Sequence, residues 1–174
     1  AAYYGYADLA RLLLAAGADV NAVENCGQSA LMQAVYRGNA EAAELLLAAG
    51  ADVHAVGRNG YTCLMQAADW GRAEMVKLLL AAGAEVDSVA SYGATALMNA
   101  SLNNAEDCVR LLLAAGADVH AANRHGLTSL MFASAHSSVV VVKLLLAAGA
   151  NIDKTDEGRG TCLMFAAGWD RADN

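Results

Sequence analysis

Residues Leu12 to Ala18 read Leu-Leu-Leu-Ala-Ala-Gly-Ala, and this segment recurs four more times in the chain. The further copies begin at Leu45, Leu78, Leu111 and Leu144, always 33 residues apart. A second pattern, Ser/Thr-x-Leu-Met, keeps the same period and begins at Ser29, Thr62, Thr95, Thr128 and Thr161. Self-similarity at a fixed period of this size indicates a stack of repeated supersecondary units.

Local signals within one unit predict two helices and a loop. Ser29 can cap a helix that ends near Gly38, because its hydroxyl satisfies a free backbone N–H. A second helix is expected from about Ala40 to Ala49, followed by Gly50, where a left-handed residue would end it. The Asn59-Gly60 dipeptide suits a tight turn with positive φ in the following extended loop or hairpin. One such unit cannot bury its own apolar face, so the stacked units are expected to form a solenoid.

The segment Leu12–Ala22, Leu-Leu-Leu-Ala-Ala-Gly-Ala-Asp-Val-Asn-Ala, resembles the ankyrin repeat. The resemblance covers the whole chain and implies an all-α solenoid of helix-turn-helix repeats with short hairpin or loop fingers. It also implies a protein-binding module, since fingers and first helices line the concave face that grips partners in this family. The repeat boundaries expected from the period are 1–23 (partial), 24–56, 57–89, 90–122, 123–155 and 156–174 (partial).

Two departures from the family pattern are visible. The proline and histidine of its Gly-x-Thr-Pro-Leu-His turn are replaced throughout, with methionine in place of the histidine. In the last copy the turn glycine is Arg159, between Gly158 and Gly160, which predicts a distorted finger. Neither end carries the polar cap that a solenoid needs for solubility, so we interpret the sequence as a segment of a longer array.

Composition excludes several classes of protein. The chain is 57% hydrophobic and 17% charged, too apolar for a disordered protein. Its longest apolar run, Cys162–Trp169, is far shorter than the roughly 18 residues of a membrane span. The formal charge of −7 has the wrong sign for binding nucleic acid. With no signal peptide visible, we expect an intracellular, reducing compartment, most simply the cytoplasm.

Candidate catalytic and metal-binding patterns are weak. The cysteines Cys26, Cys63, Cys108 and Cys162 form no Cys-x-x-Cys pair, so the usual zinc spacing is absent. Cys63 and Cys162 occupy equivalent positions three repeats apart, too far for a disulfide. Asn99-Ala100-Ser101 fits a glycosylation sequon but falls within a predicted helix. We therefore predict a protein without catalytic activity, cofactor or metal.

Comparison of the copies with one another identifies the candidate binding residues. The Leu triplet, the Gly-Ala and the Leu-Met stay fixed, whereas the last two residues of the first helices and the finger tips vary. Every Trp and Tyr except Tyr6 lies at such a variable position, and Trp, Tyr and Arg dominate binding hot spots. The predicted protein-binding residues are Tyr3, Tyr4, Tyr36, Arg37, Arg58, Tyr61, Asp69, Trp70, Tyr92, Leu102, Asn103, Arg124, His125, His136 and Trp169.

Three interpretations of function stay open. The first is recognition of a partner protein through the variable face. The second is a structural subunit of a larger assembly, with end-to-end contacts between uncapped faces. The third is a regulatory segment of a longer multidomain protein. Drift on a solvated surface would also produce variable positions, so the aromatic residues have to be tested for a role in binding.

Overall fold

A computed structural model describes residues 5–25, 27–136 and 138–168. These ranges contain ten α-helices and no strand longer than a single bridge. The helices are α1 (Gly5–Ala15), α2 (Ala30–Arg37), α3 (Ala40–Ala48), α4 (Cys63–Asp69), α5 (Ala73–Ala81), α6 (Ala96–Leu102), α7 (Glu106–Ala114), α8 (Ser129–Ala135), α9 (Val139–Ala147) and α10 (Cys162–Ala166). The predicted all-α class is confirmed.

Hydroxyl side chains begin the even-numbered helices, which are the first helices of their units. The side-chain oxygen of Ser29 accepts a hydrogen bond from the N–H of Met32, at 3.3 Å. The same bond recurs in α4, α6, α8 and α10, from Thr62, Thr95, Thr128 and Thr161 to the methionine three residues on. Each bond satisfies one N–H that the helix cannot pair internally. The predicted caps are confirmed.

Glycine ends the odd-numbered second helices. Gly50 follows α3 with φ of 88°, a left-handed conformation that costs glycine little. The Gly50 and Ala51 N–H groups donate to the carbonyls of Leu47 and Leu46, which pairs two otherwise free acceptors at the helix end. The repeated Leu-Leu-Leu-Ala-Ala-Gly-Ala segment therefore forms the end of a second helix and includes the glycine that terminates it.

Two rows of helices build the core. First helices pack on first helices in the order α2, α4, α6, α8, α10, and second helices on second helices in the order α1, α3, α5, α7, α9. Between the rows lie the repeated apolar positions, fully buried at Leu64, Met65, Leu79 and Met98. Four methionines of the Ser/Thr-x-Leu-Met pattern, Met32, Met65, Met98 and Met131, thus contribute apolar packing, whereas Met164 in the last described helix is 47% exposed.

A finger, defined as the segment between a second helix and the next first helix, closes each unit. The Gly57 N–H donates to the Tyr61 carbonyl, and a single antiparallel bridge joins Val56 to Thr62. Asn59 and Gly60 both have positive φ, 59° and 71°, as their sequence predicts. Single bridges also join residues 23 and 29, 122 and 128, and 155 and 161.

The prediction of a distorted last finger is wrong. Arg159 adopts φ of 64°, close to the 75° of its equivalent Gly126, and its N–H donates to the Asp156 carbonyl. The Asp156 N–H donates to the Gly160 carbonyl, as the equivalent Asn123 N–H does to Leu127. A Cβ at Gly126 would lie 3.0 Å from the Cα of Asp156 in the next finger. No described finger follows Arg159, so a side chain is tolerated there.

Candidate protein-binding surface

The predicted binding residues that the structure describes lie on one set of elements, the ends of the first helices and the fingers. We call this set the recognition surface; its members are Tyr36, Arg37, Arg58, Tyr61, Asp69, Trp70, Tyr92, Leu102, Asn103, Arg124, His125 and His136. Tyr3, Tyr4 and Trp169 lie outside the residues whose side chains are described. The stacking of first helices brings neighbouring members together, and several of them touch.

Tyr36 and Trp70 form an aromatic pair across two units. Tyr36 lies in the last turn of α2, and Trp70 directly follows α4. Their ring centroids are 5.5 Å apart at an interplanar angle of 85°, the edge-to-face arrangement that aromatic rings favour. Both rings stay accessible, with 42% of Tyr36 and 54% of Trp70 exposed. The pair therefore offers a preformed apolar platform to a partner.

The same diagonal contact recurs one unit later with polar residues. The Asn103 side-chain amide donates to the Asp69 carboxylate at 2.9 Å, again across 34 residues. Burial raises the pKa of Asp69, and the hydrogen bond from Asn103 partly opposes that shift. Equivalent positions in successive units are thus occupied by an aromatic pair and by a carboxylate–amide pair, which lie side by side.

Two arginine side chains contact Tyr36. The Arg37 guanidinium lies 5.7 Å from the Tyr36 ring centroid, within range for a cation–π interaction. Arg72 Nη2 donates to the Tyr36 carbonyl at 3.0 Å, and its guanidinium covers Gly38 at the end of α2. A cation at a helix C-terminus interacts favourably with the helix dipole. Sequence reasoning missed Arg72, because an arginine just before α5 carries no signal that it reaches the preceding unit.

Tyr61 and Asn99 form a second contact that sequence reasoning missed. The Asn99 side-chain amide donates to the Tyr61 hydroxyl at 2.6 Å across two units. Burial is the main cause that raises the pKa of Tyr61 to about 12; the nearby Asp69 adds to it and the Asn99 bond opposes it. Tyr61 is half-buried and packs against the core, so only part of its ring is open to a partner. The sequon position Asn99 is buried inside α6.

The finger tips are tied to one another through their backbones. The Arg124 N–H donates to the Tyr92 carbonyl at 2.8 Å, and the Glu157 N–H donates to the His125 carbonyl at 3.0 Å. His125 Nδ1 also lies 3.4 Å from the Glu157 carboxylate. The exposed side chains of Arg58, Tyr92 and Arg124 are therefore carried on stacked turns. Leu102 is half-buried at the end of α6, and His136 is exposed after α8.

The structure exposes one apolar row that sequence reasoning did not select. Val23, Val56 and Val89 lie at equivalent finger positions and are exposed by 59–64%. Core residues of a repeat protein recur at the repeat period, so the recurrence of these valines in the sequence would by itself suggest that they are buried. The sequence around them does contain a signal for exposure, because each valine follows a polar loop and precedes a turn.

The described cysteines have the chemistry of packing residues. Cys63, Cys108 and Cys162 are buried free thiols. Burial raises the pKa of Cys63 to about 12 and that of Cys108 to about 11, with Asp52 and Asp107 respectively adding to the shift. Thiols held in the protonated form are poor nucleophiles and poor metal ligands. Within the described residues, no three His, Cys, Asp or Glu side chains come close enough to hold a metal ion.

Comparison with known proteins assigns the chain to a family. A family model described as ankyrin repeats matches the chain in three copies, at residues 1–90, 54–123 and 83–156. A search of curated proteins finds no match. None of the helices in the described ranges combines the length and apolarity that a membrane span requires. The chain belongs to the ankyrin repeat family, whose members are generally protein–protein interaction modules.

Proposed function

We propose that the protein recognises a partner protein through the concave face formed by its first helices and fingers, without catalysis. The observation that carries this proposal is the exposed Tyr36–Trp70 pair at the ends of neighbouring first helices. Rigid aromatic rings contribute contact area at a low entropic cost, and Trp and Tyr dominate measured hot spots. The chain holds these two rings in a fixed arrangement before any partner arrives.

Charged and polar groups beside the pair supply specificity in this proposal. Arg37 lies over Tyr36, and Asp69 is oriented by its bond to Asn103. An interface of typical size buries about 1,600 Å² in total, enough to cover several neighbouring units. The partner would therefore contact the aromatic pair, the Asp69–Asn103 pair and the finger tips at Tyr92 and Arg124 together.

The test compares capture of proteins from the source lysate by immobilised wild type and by single variants. Trp70→Ala and Tyr36→Ala should lose a specific captured protein, because both remove an exposed ring from the platform. Glu44→Ala, exposed on the second helix α3, should retain that protein. Circular dichroism on the same samples checks that all three variants fold. Loss in Glu44→Ala with retention in Trp70→Ala would contradict the proposal.

A second candidate function, end-to-end assembly, is favoured by one observation at α10. Leu163 is 79% exposed, whereas its equivalents Leu31, Leu64, Leu97 and Leu130 are 1–2% exposed. Inside the stack the next unit covers this face. In a structural subunit, another copy would cover it; in a regulatory segment of a longer protein, a further repeat would.

Light scattering separates these candidates. The assembly proposal requires the wild type to self-associate, and Leu163→Glu to abolish that association by placing a charge on the contact. A monodisperse monomer would contradict it and leave the recognition proposal intact. The reading frame that encodes the chain then decides whether it acts alone or regulates an attached domain.

A further inference from the structure

A row of exposed valines runs across three consecutive fingers. Val23, Val56 and Val89 present most of their side chains to solvent, and single antiparallel bridges join Val23 to Ser29 and Val56 to Thr62 within their fingers. Consecutive fingers are in contact, since the Val56 and Val89 carbonyls lie within 4 Å of the Cβ positions that Gly27 and Gly60 would carry. Three equivalent apolar side chains are thus held at a spacing of one unit, roughly 8–10 Å.

A cleft opens beside this row, between the second and third valines. It has a volume of about 410 Å³, and its walls include Val53, Val56 and Val89. Glu85 and Asp87 line the same cleft, so apolar and anionic groups face one space. The cleft could accept an apolar side chain and a neighbouring cation together.

Carboxylates dominate the loops that follow the second helices along this edge. Six are exposed: Asp19, Asp52, Glu85, Asp87, Asp118 and Asp153. In the parts of these loops that precede the finger tips, residues 49–57, 82–90, 115–123 and 148–156, Lys154 is the one lysine or arginine, and its ammonium donates to the His120 carbonyl. Within the described ranges none of the six forms an ion pair. Arg58, Arg124 and Arg159 lie at the finger tips and form no ion pair with these carboxylates in the described ranges, so the six charges stay available to a partner.

Backbone hydrogen bonds hold several of these carboxylates in place. One oxygen of Asp52 accepts from the His54 N–H, and one of Asp118 from the His120 N–H, at 2.9 and 2.8 Å. One oxygen of Asp87 accepts from the Asp118 N–H across a unit, at 2.9 Å. The charges are consequently preorganised, which lowers the entropic cost of binding a cation.

We propose that this edge, made of the three valines and the six carboxylates, binds a basic amphipathic helix of a second protein. A helix rises about 10.5 Å in seven residues, close to the spacing of the units. An apolar residue at every seventh position would then lie on one finger after another, and lysines or arginines beside it would meet the carboxylates. This edge shares no residue with the recognition surface and uses neither Tyr36 nor Trp70, although both surfaces include finger residues.

Charge decides among the possible occupants of the edge. Six carboxylates without an ion pair in the described ranges repel nucleic acid and anionic lipid, and they repel a second copy of a chain whose formal charge is −7. An apolar partner without cations would leave the carboxylates beside a low-dielectric surface, at a cost in solvation. A segment that carries both apolar and cationic side chains satisfies both features.

The probe is a labelled synthetic helix of about 21 residues with leucine at every seventh position and lysine around it. Its binding to the full chain is followed by fluorescence anisotropy. The double variant Val56→Thr/Val89→Thr keeps the β-branched shape of the exposed side chains and should bind about tenfold more weakly, through lost apolar burial. Val139→Thr/Val140→Thr removes two exposed valines from α9 and should bind like wild type.

Removal of charge is tested with a second matched pair. Glu85→Gln/Asp87→Asn should weaken binding by about fivefold to tenfold at low salt, an effect that shrinks as salt screens the charges. Asp87→Asn retains a side-chain oxygen that can accept from the Asp118 N–H. Glu41→Gln/Glu74→Gln removes the same charge from exposed positions on α3 and α5 and should change affinity by less than about twofold. Trp70→Ala should also bind the probe normally.

Three results would overturn the proposal. The first is no binding at about 100 μM chain, which corresponds to an affinity too weak for a specific site. The second is equal binding of a peptide with glutamate in place of lysine. The third is equal loss in both charge pairs or in both valine pairs, since the probe would then respond to net charge or to apolar surface in general.

Discussion

Asp69 is the residue whose ionisation the structure perturbs most clearly among the described carboxylates. It lies at the end of α4, partly shielded from solvent and bonded to Asn103. Burial disfavours its charged form and raises its pKa, with the Asn103 bond acting in the opposite direction. The folded chain therefore binds a proton at this site more tightly than the unfolded chain.

This shift predicts a pH dependence of stability with a definite sign. Because the folded pKa is raised, the contribution of Asp69 is most favourable below its unfolded pKa and is lost as pH rises through the folded pKa. Asp69→Asn should remove that decline, so its free energy of unfolding should gain on wild type as pH rises from about 3.5 to 7. Urea titrations across this range measure the difference, and Glu44→Gln is the exposed control. A difference that shrinks toward neutral pH would show that the shift has the opposite sign.

The cysteines carry a chemical prediction. All four should be free, as expected in a reducing compartment such as the cytoplasm, and denaturing, non-reducing mass spectrometry should find four alkylatable thiols and no metal. In the native protein Cys63 and Cys108 should react slowly with iodoacetamide, since burial keeps both thiols protonated. A disulfide or a stoichiometric zinc ion would contradict both the compartment and the packing role.

At the residue scale, the sequence predicts position better than environment. Trp70 and Tyr61 both occupy variable positions, yet Trp70 is exposed while Tyr61 packs on the core and bonds to Asn99. Val56 recurs like a core residue and is exposed. Recurrence reports that equivalent residues share an environment, whether inside or outside, and only the packed structure says which. Contacts across units, such as that of Arg72 with the carbonyl of Tyr36, leave no local signal.

At the scale of the element, the fingers depend on glycine for two separate reasons. Gly126 and Gly149 both have positive φ, 75° and 90°. A Cβ at Gly126 would approach the Asp156 backbone at 3.0 Å, whereas a Cβ at Gly149 would meet nothing within 4 Å. The first glycine therefore serves both conformation and close packing, and the second serves conformation alone.

Alanine substitutions separate these two requirements. Gly149→Ala should cost about 1–2 kcal/mol of unfolding free energy, the usual penalty for a side chain in the left-handed region. Gly126→Ala should cost more, because backbone of the next finger must also move. Paired denaturant titrations provide the measurement. Equal losses of unfolding free energy would mean that neighbouring fingers move apart easily. Their contact would then contribute little to the stability of the chain.

Helices and their caps were the elements best predicted from sequence, for a physical reason. Capping hydroxyls, terminating glycines and apolar periodicity act locally. Ser29, Gly50 and the Leu triplets therefore predict a helix start, a helix end and a buried helix face from the nearby sequence alone. The tolerance of Arg159 is not local, since it depends on what stacks against the finger. That difference explains why the helix bounds were correct and the expected distortion was not.

At the scale of the whole molecule, stability should follow the contacts between adjoining units. Leu79 in α5 is completely buried, while its equivalent Leu13 in α1 is 53% exposed. Leu79→Ala should cost about 2–5 kcal/mol through lost burial and a cavity, and Leu13→Ala much less. Equal losses in denaturant titrations would contradict an account in which each unit is stabilised by its neighbours.

We propose that first helices and fingers, not second helices, bind the partner. This proposal is tested most directly by calorimetric titration of the captured and purified partner with wild type, Trp70→Ala and Glu44→Ala. We expect Trp70→Ala to weaken binding by on the order of 2 kcal/mol or more, and Glu44→Ala to leave the affinity unchanged. Unchanged affinity in Trp70→Ala together with a loss in Glu44→Ala would place the binding site on the second helices instead.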